Sequence, residues 1–405
     1  MRATKFIIIF SLLFIAAGCS DTEERLARKA DKIHESILTV DTHCDTPMNL
    51  LRSDFDIGKR QDYGCVDFPR MREGGLDAEF FAVFIGQGPR NDSAYASARK
   101  KALDIFKAIH DNVNRYSNLA EIALSADDAY RIKKEGKIAA FIGVENGYPA
   151  GKDLSRIREF YDLGARYMTL SHSRNNDICD SSTDPSGPEH NGLSDFGKEV
   201  VKEMNNTGMM VDVSHISDQA FYDVIKLSAV PVIASHSSCR ALCENPRNLT
   251  DEMILALKEN GGVIQICILS SYLKSPEANP ALDSAIADIR KKYEAGGALN
   301  GEKIREMRSE IRAVQKKYEK LATVKDLVDH IDHVVQIAGI DYVGIGTDFD
   351  GGGKISGCSD VSQMKNITIE LLRRGYSRKE IEKIWSGNVM RVLRAAEAYA
   401  AGKRG

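Results

Sequence analysis

The sequence predicts an α/β fold in which eight parallel strands and their helices close into a (β/α)8, TIM-like barrel. Eight short apolar runs rich in β-branched residues recur along the chain, at residues 37–41, 79–85, 138–144, 167–170, 209–213, 230–234, 263–269 and 342–345. Helical candidates lie between most of them, including 153–163, 195–205, 218–227, 252–259 and 324–338. Strands that alternate with helices favour a parallel sheet. Eight such units favour a closed barrel over the alternative, a doubly wound open sheet.

Composition narrows the class of protein. The chain has 405 residues, of which 43% are hydrophobic and 28% charged, and its formal net charge is −3. This is ordinary globular composition, which excludes disordered, fibrous and multi-span membrane proteins. No basic face or stripe points to a nucleic-acid partner. We expect one barrel domain over residues 33–400, because no linker rich in Pro and Ser divides that stretch.

The N-terminus resembles the export signal of a bacterial lipoprotein. Arg2 and Lys5 precede an apolar run over residues 6–17. That run is shorter than the roughly 20 residues of a membrane-spanning helix and fits the apolar core of a signal peptide. It leads into Ala-Ala-Gly-Cys, which is similar to a lipobox whose cysteine, Cys19, accepts the lipid.

We therefore expect a lipoprotein signal peptide over residues 1–18 and a lipid-anchored tether over 19–32. The protein would lie in the bacterial cell envelope, on the periplasmic face or at the cell surface. The alternative is an ordinary signal peptide followed by a chance cysteine. With Cys19 lipidated, seven of the eight cysteines remain, so at least one thiol stays free. No Cys-x-x-Cys pair exists, which argues against a thiolate zinc finger.

One segment interrupts the alternation of strands and helices. Residues from about 270 to 322 are rich in Lys, Arg, Glu and Ala and contain few large apolar residues. This composition predicts a charged helical hairpin on the barrel rim, inserted before the last strand. A lid or an oligomer contact, such as that of a homodimer, is one interpretation of the insertion. A solvated decoration is the other.

An acidic or histidine side chain lies at the carboxyl end of six of the eight predicted strands. In a parallel barrel all these strand ends lie on one face, where catalytic groups can converge. The chain has only nine histidines, and four of them close strands in this way. The candidates are His43, Asp45, Glu145, His172, His215, His236 and Asp348.

Imidazole and carboxylate without thiolate are the usual ligands of a hydrolytic zinc site. A pair of ions about 3.5–4 Å apart holds a hydroxide and polarises a carbonyl, and it needs a bridging carboxylate. Glu145 is the best candidate for that bridge. His43 and Asp45 would complete one site, and His215 and His236 the other.

Each candidate also has a structural interpretation. His43 with Asp45 would be a hydrogen-bonded pair, each remaining histidine would be satisfied in the core or in a loop, and Glu145 would cap a turn. Three more aspartates near strand ends are expected to support the ligands: Asp41, Asp212 and Asp350. His330 and His333, which share a helix face, are expected to be structural, and three histidines belong to no constellation: His34, His110 and His190.

Eight stretches of the chain resemble the membrane dipeptidase (renal dipeptidase) family of zinc peptidases. They are DTHCDTP at 41–47, FIGVENG at 141–147, YMTLSH at 167–172, VDVSH at 211–215, ASHSSCRALCENPRN at 234–248, DHIDHVVQIAG at 329–339, VGIGTDFDG at 343–351 and SGNVMRVL at 386–393. The resemblance spans roughly residues 33–395. It implies a barrel of the metal-dependent hydrolase type, the same five metal ligands and two Zn²⁺ ions per chain.

The resemblance also implies roles for four residues in catalysis and substrate binding. His172 would stabilise the oxyanion, and Arg247 would bind the substrate carboxylate. Asp348 would bind the free amino group and move the proton. Tyr272 would contact the substrate, although it lies at the start of the insertion, which the animal enzymes lack. Met48 stands where those enzymes carry Trp.

The function that this implies is hydrolysis of dipeptides, including those with a D-residue at the C-terminal position. The expected partners are a dipeptide substrate and, through the lipid, a membrane. Manganese or cobalt in place of zinc stays open at this point. One rival function is another barrel amidohydrolase, a deacetylase or cyclic-amide hydrolase, whose substrate would not need the amino-group acceptor Asp348. The other is an inactive surface binding protein.

Overall fold

The structure is a computed structural model that describes residues 23–275, 279–294, 301–318 and 320–404. The predicted signal peptide, the lipidation site Cys19 and the first residues of the tether lie outside these ranges. Among the helices in the described ranges, none combines the length and the apolar character that crossing a bilayer requires.

Eight parallel strands form a nearly closed barrel in the order β1-β2-β4-β5-β6-β7-β8-β9, which confirms the predicted fold class. A ninth strand, β3, pairs only with β4 and lies outside this path. The strands are β1 Val40–Cys44, β2 Ala78–Phe84, β3 Ala120–Ile122, β4 Ile138–Glu145, β5 Ala165–Thr169, β6 Met210–Asp212, β7 Ile233–Ser237, β8 Val263–Ile266 and β9 Val343–Ile345.

Helices follow the strands and cover the barrel. They are α1 23–36, α2 Pro47–Leu50, α3 Phe68–Gly74, α4 Asp92–Arg115, α5 Ala126–Lys134, α6 Ser155–Asp162, α7 Asp195–Thr207, α8 Asp218–Leu227, α9 Asp251–Asn260, α10 Ser270–Leu273, α11 Pro280–Glu294, α12 Gly301–Tyr318, α13 Val324–Ile337, α14 Lys365–Arg373, α15 Arg378–Glu382 and α16 Asn388–Arg404. The five helices predicted from periodicity are all present.

The seam between the first and last barrel strands lies just beyond their regular ends. The Asp45 N–H donates to the Phe349 carbonyl at 2.7 Å, and the Asp348 N–H donates to the His43 carbonyl at 3.0 Å. Cys44 and Phe349 form an isolated parallel bridge at the same place. Two of the predicted metal ligands, His43 and Asp45, therefore take part in these closing bonds through their backbone.

The C-terminal helix α16 packs against the beginnings of the strands. One buried apolar cluster combines Val389, Met390 and Leu393 of this helix with residues at strand starts. The strand members of that cluster include Val40, Ala78, Ala139, Met210, Ile233 and Val263. Because this end of the barrel is filled, the opposite end, where the strands finish, is left for a site.

Two strands are displaced from their predicted positions. β1 runs over Val40–Cys44 instead of 37–41, and β7 runs over Ile233–Ser237 instead of 230–234, the sixth predicted strand. His43 and His236 therefore lie inside strands, not after them. The parallel pairing is irregular at both histidines, with one register shift between Asp41 and Cys44 and another between Ala234 and Ser237. The short β3 was not predicted.

The predicted insertion contains helices α11 and α12, which contact each other. Lys292 and the hydroxyl of Tyr293 both bind the carboxylate of Glu310, at 2.7 and 2.9 Å. The chain returns to the barrel at α13, whose start is fixed by a capping box between Thr323 and Asp326. The insertion thus lies between β8 and the last strand, as the sequence indicates.

Candidate metal centre and active site

Glu145, the last residue of β4, lies at the centre of the candidate site. Its Oε1 is 3.1 Å from His215 Nε2, 3.5 Å from His236 Nε2 and 3.7 Å from His172 Nε2. Its Oε2 is 3.6 Å from His43 Nε2. Four imidazoles from four strands thus surround one carboxylate, as a bridging role requires.

The remaining predicted carboxylates lie beside His43. Asp45 Oδ2 is 3.9 Å from His43 Nε2. His43, Asp45 and Asp348 form one group of donor atoms close enough to share a cation. Two further groups contain Glu145, one with His43 and His236 and the other with His172 and His215. All seven predicted residues therefore meet at one end of the barrel.

Two buried ligand atoms of this cluster lack a hydrogen-bond partner among the residues that the structure describes. They are His43 Nε2 and Asp45 Oδ1. The Nε2 atoms of His215 and His236 face each other at 2.8 Å. Buried polar atoms are normally hydrogen-bonded. These nitrogens and oxygens are ligands that Zn²⁺ prefers, so the residues fit a dinuclear zinc-type group.

Burial sets the charge of the ligands. It lowers the pKa of His43 to about 3 and that of His172 to about 4. The pKa values of His215 and His236 are lowered well below the usual value for the same reason. All four imidazoles are therefore neutral at pH 7, which is the form that binds metal.

The carboxyl groups experience the opposite shift. Burial is the main cause that raises the pKa of Asp45 to about 7, and repulsion from Asp350 adds to it. Burial is also the main cause that raises the pKa values of Glu145 and Asp348 well above their usual range, and repulsion from Asp45 is the second cause. Three acidic groups that burial and mutual repulsion make hard to ionise together favour a compensating cation.

The backbone turns sharply where the site residues leave their strands. Four residues other than glycine adopt positive φ there: Asn146 at 75°, His215 at 71°, Asp348 at 62° and Asp350 at 66°. Such conformations cost energy and cluster at functional sites. At Asn146 the side chain offsets part of this cost, because its amide donates to the Ile85 carbonyl at 2.9 Å.

Gly351 makes room for two of the carboxylates, a role that its place in the sequence did not indicate. A Cβ atom on Gly351 would lie 2.1 Å from Asp45 Oδ2 and 2.2 Å from Asp348 Oδ1. The run of three glycines after Asp350 was the only signal, and it did not distinguish a simple turn from a glycine that leaves space for the two carboxylates. The structure shows that the first of them must lack a side chain.

Gly351→Ala is expected to lower activity at least tenfold, because its methyl group must displace Asp45 or Asp348. Shifts of about 1 Å at reacting groups cost on the order of 100-fold in rate. Steady-state hydrolysis and metal content measure the effect. The matched control is Gly86→Ala, where an added Cβ meets nothing within 4 Å. Equal activity of both variants and the wild type would contradict the claim that Gly351 leaves necessary space for Asp45 and Asp348.

Arg247 is a buried cation without an anionic partner among the described residues. The residue is only 4% exposed, and its Nε has no hydrogen-bond partner among the described residues. One Nη donates to the His236 carbonyl at 3.2 Å, and the guanidinium lies 5.4 Å from the Tyr272 ring centroid. This burial excludes a surface salt bridge as the role of Arg247. A buried, unpaired guanidinium is suited to an anionic ligand.

The three supporting aspartates hold the loops around the site. Asp41 accepts the Thr347 N–H at 2.8 Å and the His43 N–H at 3.3 Å. Asp350 accepts from the Thr46 hydroxyl at 2.6 Å and the Cys65 N–H at 2.8 Å. Asp212 accepts four hydrogen bonds from β5, from β7 and from the turn after β6. The donors are Thr169 Oγ1, Ser214 N, Ser235 N and Ser235 Oγ.

Tyr167 contacts a predicted ligand although its sequence position gave no sign of this. Its hydroxyl lies 2.8 Å from His43 Nδ1. The residue belongs to an apolar strand, so the pattern indicated only a core tyrosine. Space for its ring comes from Gly143, where a Cβ would lie 2.1 Å from Tyr167 Cζ.

The five remaining histidines make structural hydrogen bonds away from the cluster. His330 accepts the Cys239 N–H and bonds to the Leu273 carbonyl, and His333 pairs with Asp251. The others bond to backbone carbonyls: His34 to Gly75, His110 to Leu163 and His190 to Asn176. All seven cysteines in the described ranges are free thiols.

Comparisons with known proteins agree with this geometry. The sequence model of the family described as membrane dipeptidase, peptidase family M19, matches residues 27–404. The dipeptidase tcpJ of Claviceps purpurea (strain 20.1) is 34% identical over 348 residues, which cover 84% of this chain and 72% of that protein. Dipeptidase 3 of Macaca fascicularis is 30% identical over 382 residues, which cover 92% of this chain and 68% of that protein.

A solved structure extends the agreement to the fold. The probable dipeptidase PvdM from Pseudomonas aeruginosa superposes with a TM-score of 0.85 and 31% sequence identity. The match covers 93% of this chain and 100% of that chain. The family match covers nearly the whole described chain, and the candidate metal ligands cluster at the barrel end. This chain therefore belongs to the membrane dipeptidase family (peptidase family M19), and it is a metallopeptidase that hydrolyses dipeptides.

Proposed function

We propose that the enzyme uses two Zn²⁺ ions to cleave dipeptides with free amino and carboxyl ends, including those with a D-residue at the C-terminal position. The observation that supports this most directly is the position of Arg247. This buried guanidinium has no carboxylate partner in the part of the chain that the structure describes, and its Nη donates to the carbonyl of the ligand candidate His236. A guanidinium beside the ligand cluster would bind the C-terminal carboxylate of a dipeptide at a fixed distance from the bond that is cleaved.

His43 and Asp45 would hold one ion, His215 and His236 the other, and Glu145 both. When bound, the ions supply Lewis acidity, which polarises a carbonyl and lowers the pKa of water to about 7. Glu145 suits the shared position because its two oxygens face different imidazoles, Oε1 facing His215 and His236 and Oε2 facing His43. The identity of the metal as zinc rests on this ligand set and on the resemblance to the zinc peptidases.

Other residues would bind the substrate and handle protons. Arg247 binds the C-terminal carboxylate, and Tyr272 packs against that guanidinium. Asp348 lies beside Asp45, where it binds the free amino group and carries the proton to the leaving amine. His172 Nε2 is 3.7 Å from Glu145 Oε1 and its side chain is a quarter exposed, so it can reach a substrate oxygen and stabilise the oxyanion.

Arg247→Met is expected to lower kcat/KM for a dipeptide by about ten- to hundredfold, mainly through KM. A hydrogen-bonded charge pair contributes about 1.5–3 kcal/mol, and each 1.4 kcal/mol corresponds to about tenfold. Steady-state kinetics on the zinc-loaded enzyme measures this change. The wild type should discriminate against the C-terminal amide of the same dipeptide, and the variant should not.

The same substrate panel tests the proposed function itself. It contains L-L and L-D dipeptides and their N-acetyl derivatives. Release of amino acids from the free dipeptides alone supports the proposal. Preferential cleavage of the N-acetyl compounds would instead indicate an amidohydrolase of another type. A wild-type protein that takes up well under one zinc per chain and releases nothing would contradict it.

We also propose that the chain is a lipoprotein of the bacterial cell envelope, anchored through Cys19. The support is the sequence of residues 1–19 alone. Metabolic labelling with palmitate in a bacterial host should mark the wild type and move it to the membrane fraction. Cys19→Ala should remain unlabelled, and Cys65→Ala, which removes a thiol of the barrel, should label normally. An unlabelled wild type would exclude lipidation.

A further inference from the structure

The two predicted metal positions are supported by chemically different groups. On one side, His236 Nδ1 lies 2.8 Å from Ser235 Oγ, which itself donates to Asp212 Oδ2 at 2.7 Å. On the other side, His43 Nδ1 lies 2.8 Å from the hydroxyl of Tyr167. All five residues are at most 1% exposed, so water does not replace these partners.

The hydrogen bonds around Asp212 fix the tautomer of His236. Asp212 Oδ1 accepts the Ser235 N–H at 2.9 Å and the Ser214 N–H at 3.1 Å, and Oδ2 accepts two hydroxyls. Because the single hydroxyl hydrogen of Ser235 goes to Asp212, Ser235 Oγ can only accept from His236. His236 therefore carries its hydrogen on Nδ1, and the lone pair of Nε2 faces the cluster.

No such constraint acts on His43. Among the described residues, the Tyr167 hydroxyl makes no other hydrogen bond, so it can donate to His43 Nδ1 as readily as it can accept. If Tyr167 donates, the hydrogen of His43 lies on Nε2, the nitrogen that must bind metal. In that case metal binding at this position needs a change of tautomer, which leaves the Tyr167 hydrogen without an acceptor.

We propose that Asp212, acting through Ser235, is the positioning residue of the metal position at His236, and that this position consequently binds metal before and more tightly than the position at His43. A carboxylate behind a ligand imidazole raises its basicity and holds its ring orientation. A neutral phenol supplies neither effect to the same degree. The proposal rests on the dinuclear centre proposed above and adds an order of filling to it.

Stepwise zinc affinity tests this inference without using catalysis. The purified full chain is stripped with chelator and titrated with Zn²⁺ against a chromophoric chelator, which yields two dissociation constants. Ser235→Ala and Asp212→Asn are compared with Ser237→Ala. This matched variant removes a buried hydroxyl of β7 that, among the described residues, bonds only to the Ser214 hydroxyl. Tyr167→Phe probes the position at His43.

We expect Ser235→Ala and Asp212→Asn to weaken the tighter step about 10- to 100-fold and to leave the weaker step unchanged. Tyr167→Phe should change only the weaker step, and Ser237→Ala neither. Absorption by the first equivalent of Co²⁺ should be altered in Ser235→Ala and unaltered in Tyr167→Phe. If Asp212→Asn does not fold, because Asp212 accepts four hydrogen bonds, the Ser235→Ala result decides.

The outcomes separate this inference from the function beneath it. A wild type that binds two Zn²⁺ ions, with Ser235→Ala indistinguishable from it, would overturn the positioning role alone. Equal weakening of both steps, or the same loss in Ser237→Ala, would also overturn it, since either points to general damage of the site. A wild type that binds fewer than two ions would overturn the dinuclear centre and this inference with it.

Discussion

Glu145→Gln is expected to lower kcat/KM for dipeptides by at least about a thousandfold. Groups that bind or polarise the reacting atoms typically contribute factors of about 10²–10⁴, and this carboxylate would hold both ions. A neutral amide offers one oxygen and one N–H group, so it cannot bridge two cations through two oxygens. The measurements are steady-state hydrolysis and metal content per chain, which should fall below two.

The same variant separates loss of function from loss of fold. Burial raises the pKa of Glu145, with repulsion from Asp45 and then Asp348 adding to it, so removing its charge should leave the metal-free protein as stable as before or more so. Glu79→Gln is the matched control, because burial also raises the pKa of Glu79 well above its usual range and the amide has nearly the shape of the acid. Full activity and two ions in Glu145→Gln would contradict the bridging role.

Asp348→Asn is expected to lower kcat by about 10²–10⁴-fold, the range for a group that moves a proton in the transition state. The amide has nearly the same shape but cannot accept and release a proton at neutral pH. Metal content should remain at the wild-type level, and KM should change less than kcat. Analysis of zinc per chain beside single-turnover rates provides both values.

The metal content decides what Asp348 does. Its carboxylate shares a donor group with His43 and Asp45, so a ligand role is the competing explanation. Loss of one zinc in Asp348→Asn would assign Asp348 to the metal and contradict its role as proton carrier. Cys267→Ser is a conservative control, since Cys267 Sγ is 3.9 Å from Asp348 Oδ2 and its replacement should preserve both rate and zinc.

The fold was predictable because strand and helix leave different periodic patterns, and a parallel barrel repeats them eight times. The site was predictable for the same reason: once strand ends are placed on one face, polar residues at those ends converge. The sequence could place His215 three residues beyond β6. It could not show that His215 adopts a positive φ to face Glu145.

Features that depend on three-dimensional neighbours were missed. Tyr167 is an apolar strand residue in the pattern, and only the structure shows that Gly143 opposite leaves room for its ring beside His43. In the sequence Gly351 cannot be told from the two glycines that follow it, and only the structure shows the carboxylates that lie against it. Arg247 looks like a surface residue in its polar loop, and its burial follows from how that loop folds over the barrel end.

The hydrogen bonds that close the barrel also set the order in which the active site is completed. Asp45 near the start of the chain and Asp348 near its end are brought together by two backbone bonds at the seam. All five proposed metal ligands lie between residues 43 and 236, so a growing chain contains them long before it contains Asp348. A chain that stops before the last strand therefore carries every proposed ligand but lacks both the proton carrier and the bonds that position Asp45.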